Sequence, residues 1–370
     1  MRVMVSANCR LDGDSADNAL ALATILSRRG HDVLLQGREG NAPVTRAKQL
    51  GMDVAAVGLS GGRLLTGLAG YARVLRGWRP DVMVAFQAEG QTAAALAGRR
   101  LPLVRVLHEL PRSFRGAFRR MVDRRTDLVV FPSEFMARKG CAGERAGYAS
   151  VIPHPVETER FRPSEAAGKE PILLSVGRLV PEKGHRVLIR ALSMLPDEVR
   201  AVIAGPEARY SRRDLLDYSR ELGVAERLDL PGPIEDPRSL YSAARLGVVC
   251  SLGREVVSRA AMEMMASGLP VLAAATDSLV DLVSDGRTGL FHSPGNHSQL
   301  ARQVSFLLEN PSVVKEMGAA ARDRACRMLS FDVVGETWEK QLRALCGGEQ
   351  HPDWRVPRSG PQYAGNSWKE

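Results

Sequence analysis

The sequence predicts an α/β protein of two domains, each built on a parallel sheet. Short β-branched runs alternate with amphipathic stretches, and this alternation stops at residues 151–171 before it resumes. The interrupting segment, VIPHPVETERFRPSEAAGKEP, is rich in proline, glutamate and small residues, which is typical of a linker. The chain has 370 residues, enough for two domains that each bury a core.

The individual elements follow from the same patterns. In the first domain, strands are predicted at residues 1–7, 31–37, 81–87, 103–108 and 128–132, and a helix at 15–29. In the second, strands are predicted at 172–176, 200–204, 228–230, 246–251 and 270–274, and helices at 300–308, 313–328 and 331–345.

These elements set the predicted domain limits. We expect an N-terminal domain at 1–165, a C-terminal domain at 166–328, a helix at 329–346 that packs back toward the first domain, and a disordered tail at 347–370. Because open α/β sheets bind ligands at the carboxyl ends of their strands, the cleft between the domains is the expected ligand site.

The excess of positive over negative charge lies in the first half of the chain. Residues 1–165 carry a net charge of +9, and the remainder is neutral. Such a field attracts anionic partners such as nucleic acid, phospholipid headgroups or a phosphorylated substrate. An arginine-rich surface that only aids solubility is the alternative. Aromatic residues make up only 5% of the chain, which argues against a nucleic-acid-binding module.

Other function classes are disfavoured by motifs that the sequence lacks. No Gly-x-Gly-x-x-Gly follows the first strand, so a nicotinamide-dependent oxidoreductase is not expected. Five scattered cysteines without a CxxC pair favour reduced thiols in the cytosol over a zinc site. No apolar run approaches the ~18 residues of a membrane span. The N-terminus turns polar early, which favours a first strand over a signal peptide.

The stretch SVGRLVPEKGH suits the binding of a diphosphate. Gly177 and Gly184 allow sharp turns between a strand and a helix, which leaves Arg178 and Lys183 at the strand's carboxyl end. Two cations beside a helix N-terminus form a seat for phosphate oxygens. The alternative is an ordinary turn with charges at the surface.

Two glutamates eight positions apart complement this turn. Glu255 is predicted in a loop, and Glu263 about two turns into a helix that begins near residue 257. Eight residues of helix span ~12 Å, comparable to the separation of the two sugar rings in a nucleotide diphosphate sugar. Carboxylates accept hydrogen bonds from vicinal hydroxyls, and the N–H groups of Ser258 and Arg259 would face the phosphates. The alternative is that Glu263 is a residue of the helix surface and Glu255 an acid of the first turn, favoured by the helix dipole.

Taken in order, these motifs resemble the retaining GT-B glycosyltransferases of family 4. The second half carries VGRLVPEKGH, VIAGP, LPGPIEDPRSLYSAARLGVVCSLGRE, ASGLPVLA and LVSDGRTGLF, and the first half carries RRGHDVLL, PSEFMARKG and VIPHPVETERFRP. The resemblance covers roughly residues 1–345. It implies two Rossmann-like domains with parallel sheets facing across a cleft.

The resemblance also implies roles for individual residues. Arg178 and Lys183 would bind the donor diphosphate and stabilise the departing nucleotide, without a metal ion. Glu255 would contact the transferred sugar and Glu263 the ribose. The expected donor-binding residues are Gly177, Arg178, Lys183, Glu255, Ser258, Arg259 and Glu263.

In the first half, His108 resembles the family histidine beside the donor sugar, although Glu109 follows it where aspartate is common. A packed or capping histidine is the alternative. Gly13 and Asp14 lie where the family has a glycine-rich acceptor loop, unless Asp14 or Ser15 only caps the helix.

The chain departs from the family at its first glutamate. Members usually have Glu-Gly-Phe-Gly-Leu, and this chain has Glu255-Val256-Val257-Ser258-Arg259. Two glycines are therefore replaced where the backbone approaches phosphate or sugar. The identity of the donor cannot be transferred from the family across this change, and loss of activity is one interpretation of it.

The sequence thus predicts a retaining transferase that moves a sugar from a nucleotide diphosphate sugar to a hydroxyl. It needs no further cofactor and belongs to polysaccharide or glycolipid synthesis, for example of lipopolysaccharide. We expect an anionic or lipid-linked glycan acceptor, a cytoplasmic location with peripheral contact to the inner-leaflet membrane surface, and no nucleic acid. The alternative is a basic nucleic-acid- or membrane-binding Rossmann-like protein without transferase activity. A two-carboxylate hydrolase fits poorly, because its carboxylates lie only ~5–9.5 Å apart.

Overall fold

The computed structural model describes residues 1–9, 13–58, 64–96, 101–108, 117–140, 148–164, 170–253 and 255–347. Contacts between Cα atoms group the chain into two compact units. The first contains residues 1–10, 33–151 and the chain from 341 onward, and the second contains residues 11–32 and 152–340. The domain limits at 165, 328 and 346 stay predictions. Apart from Gly347, the predicted tail lies outside the described residues.

The first unit is built on a seven-stranded sheet with the order β3-β2-β1-β4-β5-β6-β7. Its strands are β1 (Arg2–Ser6), β2 (Asp32–Gly37), β3 (Asp53–Ala56), β4 (Val82–Ala85), β5 (Leu103–Val106), β6 (Leu128–Phe131) and β7 (Tyr148–Val151). The helices over this half of the chain are α1 (Asp14–Arg28), α2 (Ala42–Gln49), α3 (Leu64–Trp78), α4 (Ala88–Leu96), α5 (Ala117–Asp123) and α6 (Glu134–Gly140). By its contacts, α1 belongs to the second unit.

The second unit is built on a six-stranded sheet with the order β10-β9-β8-β11-β12-β13, and every pair in it is parallel. Its strands are β8 (Ile172–Val176), β9 (Arg200–Ala204), β10 (Leu228–Gly232), β11 (Leu246–Val249), β12 (Val271–Ala274) and β13 (Gly289–His292). Its helices are α7 (His185–Leu192), α8 (Arg212–Glu221), α9 (Arg238–Ala243), α10 (Arg259–Ala266), α11 (Leu279–Leu282), α12 (His297–Glu309), α13 (Pro311–Leu329) and most of α14 (Phe331–Gly347).

Apolar clusters cover both faces of this second sheet. One includes Leu188 of α7, Leu215 of α8 and Val304 of α12, and the other includes Met264 of α10 and Ala321 of α13. The interior strands β11 and β12 are buried along their whole length. Their sequences are therefore unbroken apolar runs, as parallel strands covered on both faces require. The prediction of parallel α/β sheets is confirmed.

The strand order of the second sheet reverses between β8 and β11. The chain adds β9 and β10 on one side of β8, and then β11, β12 and β13 on the other. Connections leave such a pair in opposite directions, which opens a crevice beyond the carboxyl ends of the two strands. The turn after β8 and the loop after β11 both begin at this crevice. No helix among the described residues has the length and apolar character to cross a membrane.

Candidate functional site

The turn after β8 is held close to the end of β11. The Gly177 N–H donates to the Ala204 carbonyl oxygen at 2.8 Å, which ties the start of the turn to β9. The turn ends in a short 3-10 helix, Pro181–Lys183, followed by Gly184 at φ +67°. A Cβ atom on Gly184 would lie 2.0 Å from the Cys250 carbonyl oxygen, so only glycine fits there. This close approach places Lys183 beside the loop that follows β11.

Lys183 and Glu255 form an ion pair across the two loops. The Lys183 Nζ lies 2.8 Å from both carboxylate oxygens of Glu255, and the Ser251 hydroxyl donates to Oε2 at 2.5 Å. The Glu255 residue is only 3% exposed. Because a buried carboxylate is costly without partners, these donors are what offset the free-energy cost of burying Glu255 at this place. The sequence assigned these residues to different parts of a ligand and did not predict that they pair.

Arg178 is exposed, and no ion pair with its guanidinium is formed within the described part of the chain. Its backbone is fixed by His185, whose Nε2 lies 3.1 Å from the Arg178 carbonyl oxygen. Burial lowers the pKa of His185 to about 4, although the backbone contact opposes this. The imidazole is therefore neutral near pH 7, and because a carbonyl only accepts, Nε2 carries the proton and donates it.

Glu263 lies on α10 with both carboxylate oxygens already in contact with donors. The Tyr241 hydroxyl donates to Oε2 at 2.7 Å, and the Arg259 Nη2 donates to Oε1 at 3.1 Å. Arg259 also pairs with Asp17 of α1, which belongs to the same unit. Burial and the charge of Glu263 raise the pKa of Tyr241 well above its usual value, so the phenol stays protonated and remains a donor.

The predicted helix start is corrected by two residues. Ser258 is the N-cap of α10 and Arg259 is its first residue, so Glu263 lies about one turn into the helix and not two. Glu255 precedes the helix, and the helical rise between Arg259 and Glu263 is only ~6 Å. The argument that eight helical residues separate the two carboxylates is therefore wrong. The loop after β11 places Glu255, and the helix places Glu263.

The site residues predicted in the first half of the chain belong to different units. His108 belongs to the first unit, and Gly13 and Asp14 belong to the second. His108 follows β5 in the first unit and stacks on Phe86, with ring centroids 5.5 Å apart. Burial and the charge of Arg105 lower the pKa of His108 to about 3. Gly13 is the N-cap of α1, so neither Asp14 nor Ser15 takes that position. Contact of His108 with a donor sugar, and of Gly13 and Asp14 with an acceptor, stay predictions.

A metal site is not formed by the residues that the structure describes. Within these ranges, no group of three or more histidine, cysteine, aspartate or glutamate side chains is placed to hold an ion. The expectation that the chemistry needs no metal stays a prediction, supported by the cationic pair on the turn after β8.

Two family models match adjoining parts of the chain. The model described as Glycosyl transferases group 1 matches residues 156–324, and the model described as Glycosyltransferase Family 4 matches residues 19–160. Together the two matches cover residues 19–324. The chain belongs to the glycosyltransferases that these two models describe. The turn after β8 and both glutamates lie within the group 1 match, and His108 lies within the family 4 match. The resemblance inferred from the sequence motifs is confirmed.

Curated relatives match over part of their length. D-inositol 3-phosphate glycosyltransferase 2 of Catenulispora acidiphila is 31% identical over 242 residues, which are 56% of this chain and 56% of that protein. The GDP-mannose-dependent alpha-(1-6)-phosphatidylinositol monomannoside mannosyltransferase of Mycolicibacterium smegmatis is 29% identical over 232 residues, which are 56% of this chain and 59% of that protein. The chain thus spans little more than half of the length of these curated relatives.

Solved structures match over nearly the whole chain. The structure of Anabaena Alr3699/HepE in complex with UDP has a TM-score of 0.82 at 21% identity and covers 93% of this chain and 100% of its own. A glycosyltransferase from Rickettsia africae has a TM-score of 0.83 at 17% identity, with coverages of 93% and 98%. At these identities the likeness shows the fold, which is the GT-B fold that the sequence predicted.

Proposed function

We propose that this chain transfers a sugar from a nucleotide diphosphate sugar to an acceptor hydroxyl, with retention of configuration and without a metal ion. The observation that carries the proposal is the pairing of Lys183 with buried Glu255 at the strand-order reversal between β8 and β11. Parallel α/β sheets bind their ligands at such a reversal. The cation and the carboxylate are therefore held where a charged sugar donor would lie.

The remaining hydrogen-bonding capacity of these groups suits such a donor. An ammonium group has three N–H donors, so Lys183 keeps one for a phosphate oxygen while it contacts both oxygens of Glu255. Arg178 adds a second cation from the same turn. A carboxylate has about four acceptor positions, so Glu263 keeps two for the ribose hydroxyls beside its bonds to Tyr241 and Arg259.

The proposed reaction breaks the bond between the anomeric carbon and the diphosphate oxygen. The acceptor oxygen forms its bond to that carbon on the same face, and the acceptor proton passes to the departing diphosphate. Arg178 and Lys183 stabilise the charge that develops on the leaving group. Glu255 orients the transferred sugar, and no protein group forms a covalent bond to it.

The side chains that replace the family glycines are accommodated in the second unit. Of the two replacements, Ser258 is buried and Val256 packs against the apolar cluster around Met264, as does buried Val257 between them. The loop is therefore packed rather than open at these positions. We propose that Ser258 and Arg259 present their backbone N–H groups to the phosphates from the start of α10.

The nucleotide is tested by a thermal-shift panel of UDP, GDP, ADP and their sugars. HepE structures contain UDP or UDP-glucose, and the mycobacterial relative is named for GDP-mannose, so these two donors are the first choices. We expect one nucleotide series to raise the melting temperature, because ligand at about 100 times its Kd stabilises by about 2.7 kcal/mol. A panel in which no nucleotide raises the melting temperature would contradict the proposal.

We propose an anionic acceptor, with an inositol phosphate as the first choice and lipid-linked glycans, including lipopolysaccharide core, as further choices. The names of the relatives contain D-inositol 3-phosphate and phosphatidylinositol monomannoside, and the net charge of +9 over residues 1–165 favours such acceptors. Transfer from the responding donor is measured with inositol phosphate, phosphatidylinositol and a neutral sugar. Transfer to the neutral sugar alone would contradict an anionic acceptor.

We also propose that the first unit binds anionic membrane surfaces through α5. Phe118 and Met121 are 57% and 42% exposed there, and Arg120, Arg124 and Arg125 are exposed beside them. Apolar side chains among cations suit a surface of anionic headgroups. The fourth cation of this segment, Arg119, has a side chain outside the described set.

Co-sedimentation with phosphatidylglycerol vesicles tests this surface. Changing Arg119, Arg120, Arg124 and Arg125 to glutamine is expected to abolish binding, since each basic residue near an anionic surface contributes about 1 kcal/mol. The control makes the same change to glutamine at three exposed arginines of α8, which are Arg212, Arg213 and Arg220. Unchanged vesicle binding by the α5 variant, or a preference for DNA over vesicles, would contradict the proposal.

The contact between Tyr241 and Glu263 yields a further prediction. Tyr241→Phe removes the donor to Oε2 of Glu263 and is expected to lower the free energy of unfolding by about 1 kcal/mol. It is also expected to weaken nucleotide binding, because Arg259 is then the one side chain in the described part of the chain that donates to Glu263. Tyr71→Phe is the matched control, since the Tyr71 hydroxyl is buried in the first unit, where it contacts Met83 Sδ at 2.9 Å and bonds with Ser6. Calorimetric titration with the responding nucleotide measures the affinity of each variant. Equal affinities for Tyr241→Phe and Tyr71→Phe would contradict the role of Tyr241.

A further inference from the structure

The backbone of Glu255 is held at both of its polar groups by one short segment. Its N–H donates to the Asp277 Oδ2 at 2.9 Å. Its carbonyl oxygen accepts from the Ser278 hydroxyl at 2.5 Å and from the Ser278 N–H at 3.2 Å. Asp277 and Ser278 lie between β12 and α11, and β12 is the neighbour of β11 in the sheet. Two consecutive residues thus fix a third that lies 22 positions earlier in the chain.

The conformation of Asp277 is unusual for its residue type. Its φ is +48°, and Arg79 is the one other residue besides glycine with a positive φ among those that the structure describes. The left-handed region is unfavourable for residues with a Cβ atom, and such strain persists where the surroundings fix it. Here the conformation accompanies the bond from the Asp277 carboxylate to the Glu255 N–H.

The Ser278 side chain does not cap the helix that it precedes. It occupies the N-cap position of α11, where a serine side chain normally accepts a hydrogen bond from the first turn of the helix. No such bond is formed, and the hydroxyl donates to the Glu255 carbonyl oxygen instead. The helix therefore gives up a cap while Glu255 gains a second contact.

The loop around Glu255 has no regular secondary structure of its own. Neither helix nor strand is assigned between Cys250 and Ser258 in the described part of this loop. The side chain of Glu255 is nevertheless held by Lys183 and Ser251, which requires its backbone to be fixed. Asp277 and Ser278 supply the backbone contacts that a helix or a strand would otherwise supply.

We propose that Asp277 and Ser278 are positioning residues for Glu255, and that they set the carboxylate at the place where it meets the transferred sugar. This inference rests on the proposed transferase function and adds two residues to it. Neither side chain needs to touch the donor, since both act through the backbone of Glu255. A displacement of about 1 Å at a reacting group costs on the order of 10²-fold in rate.

Asp277→Gly separates positioning from local backbone strain. Glycine adopts a positive φ without cost but offers no carboxylate to the Glu255 N–H. We expect kcat with the responding nucleotide sugar to fall by about 10²-fold, with the Kd of the free nucleotide diphosphate nearly unchanged. Asp277→Asn keeps an acceptor oxygen and tolerates the left-handed region, so it is expected to retain most of the activity. Ser278→Ala is expected to lower kcat less, because the Ser278 N–H still donates to the Glu255 carbonyl oxygen.

Arg79→Gly is the matched control. Arg79 has φ +50° and lies in the first unit, so this variant removes the same kind of strain far from Glu255 along the chain. We expect its kcat to equal that of the wild type. Wild-type kcat in Asp277→Gly, or an equal loss in Asp277→Gly and Asp277→Asn, would overturn the inference.

The same measurements separate this inference from the proposed function. If the wild-type protein neither binds a nucleotide diphosphate nor turns over a nucleotide sugar, the proposed function fails and the inference fails with it. If the wild type is active and Asp277→Gly is equally active, the positioning inference alone fails. Melting temperatures measured in parallel show whether a loss of kcat comes from unfolding.

Discussion

Replacing Lys183 with methionine is expected to abolish measurable sugar transfer and to lower the free energy of unfolding by about 2 kcal/mol. Methionine is unbranched and close to lysine in length, but it leaves the Glu255 carboxylate buried with the Ser251 hydroxyl as its one side-chain donor among the described residues. The cost is smaller than for a fully buried pair, since Lys183 is itself part-exposed. Thermal unfolding and transfer of the responding donor measure the two effects.

Two further variants test the cause of this loss. Lys48→Met is the matched control, because Lys48 pairs with Glu39 at 2.6 Å while both side chains are largely exposed. Its stability is expected to change by less than about 1 kcal/mol, with unaltered transfer. In Lys183→Met with Glu255→Gln, the buried charge is absent, so stability is expected to recover in part while activity stays lost. A double variant less stable than Lys183→Met would contradict a buried charge as the cause.

Among variants that add a single methyl group to the turn after β8, Gly184→Ala is expected to lose the most stability. The new Cβ would lie 2.0 Å from the Cys250 carbonyl oxygen, and the residue would keep φ +67°. The steric overlap with the backbone and the left-handed conformation are together expected to lower the free energy of unfolding by about 3 kcal/mol. We also expect loss of nucleotide binding, because relief of the contact moves Lys183 away from Glu255.

Gly223→Ala isolates the conformational part of that cost. Gly223 has φ +71°, and nothing lies within 4 Å of the position that its Cβ would take. This variant is therefore expected to lose about 1 kcal/mol and to bind nucleotide like the wild type. Urea denaturation of both variants gives the comparison. Equal losses of stability would show that the contact with Cys250 is not what requires glycine at position 184.

The sequence predicted five strands of the second sheet, because they are plain apolar runs bounded by turns. The predicted bounds of β8 and β9 agree with the structure, and those of β11 and β12 differ by one or two residues. Strand β13 was missed. It has the sequence GLFH and begins with a residue of low strand propensity. Glycine is nevertheless required there, since a Cβ on Gly289 would lie 1.9 Å from the Val271 carbonyl oxygen.

In the first unit, the short strands β3 and β7 were missed as well. The sequences DVAA and YASV contain few β-branched residues, and parallel pairing to their neighbours defines them. Tertiary pairing overrides local propensity in strands of this length. The order of the strands, and with it the reversal between β8 and β11, also depends on contacts that periodicity does not encode.

At the candidate site, the sequence identified residue types and the structure supplied their partners. Spacing and resemblance assigned Lys183, Glu255 and Glu263 to a donor, but they did not predict that Lys183 holds Glu255. Tyr241 was missed because it lies in an apolar stretch that indicates core. Asp277 and Ser278 were missed because a polar pair before a helix usually indicates only a cap. Each omitted contact joins residues that lie at least 22 positions apart in the chain.

The central claim is that Arg178 and Lys183 together bind a nucleotide diphosphate at the end of β8. Calorimetric titration of the responding nucleotide into wild type, Arg178→Ala and Arg302→Ala tests this claim most directly, since Arg302 is an exposed arginine on α12. We predict that Arg178→Ala weakens binding by about 10²-fold, as the loss of charge-assisted hydrogen bonds implies, and that Arg302→Ala binds like the wild type. Equal affinity in all three proteins would contradict the account.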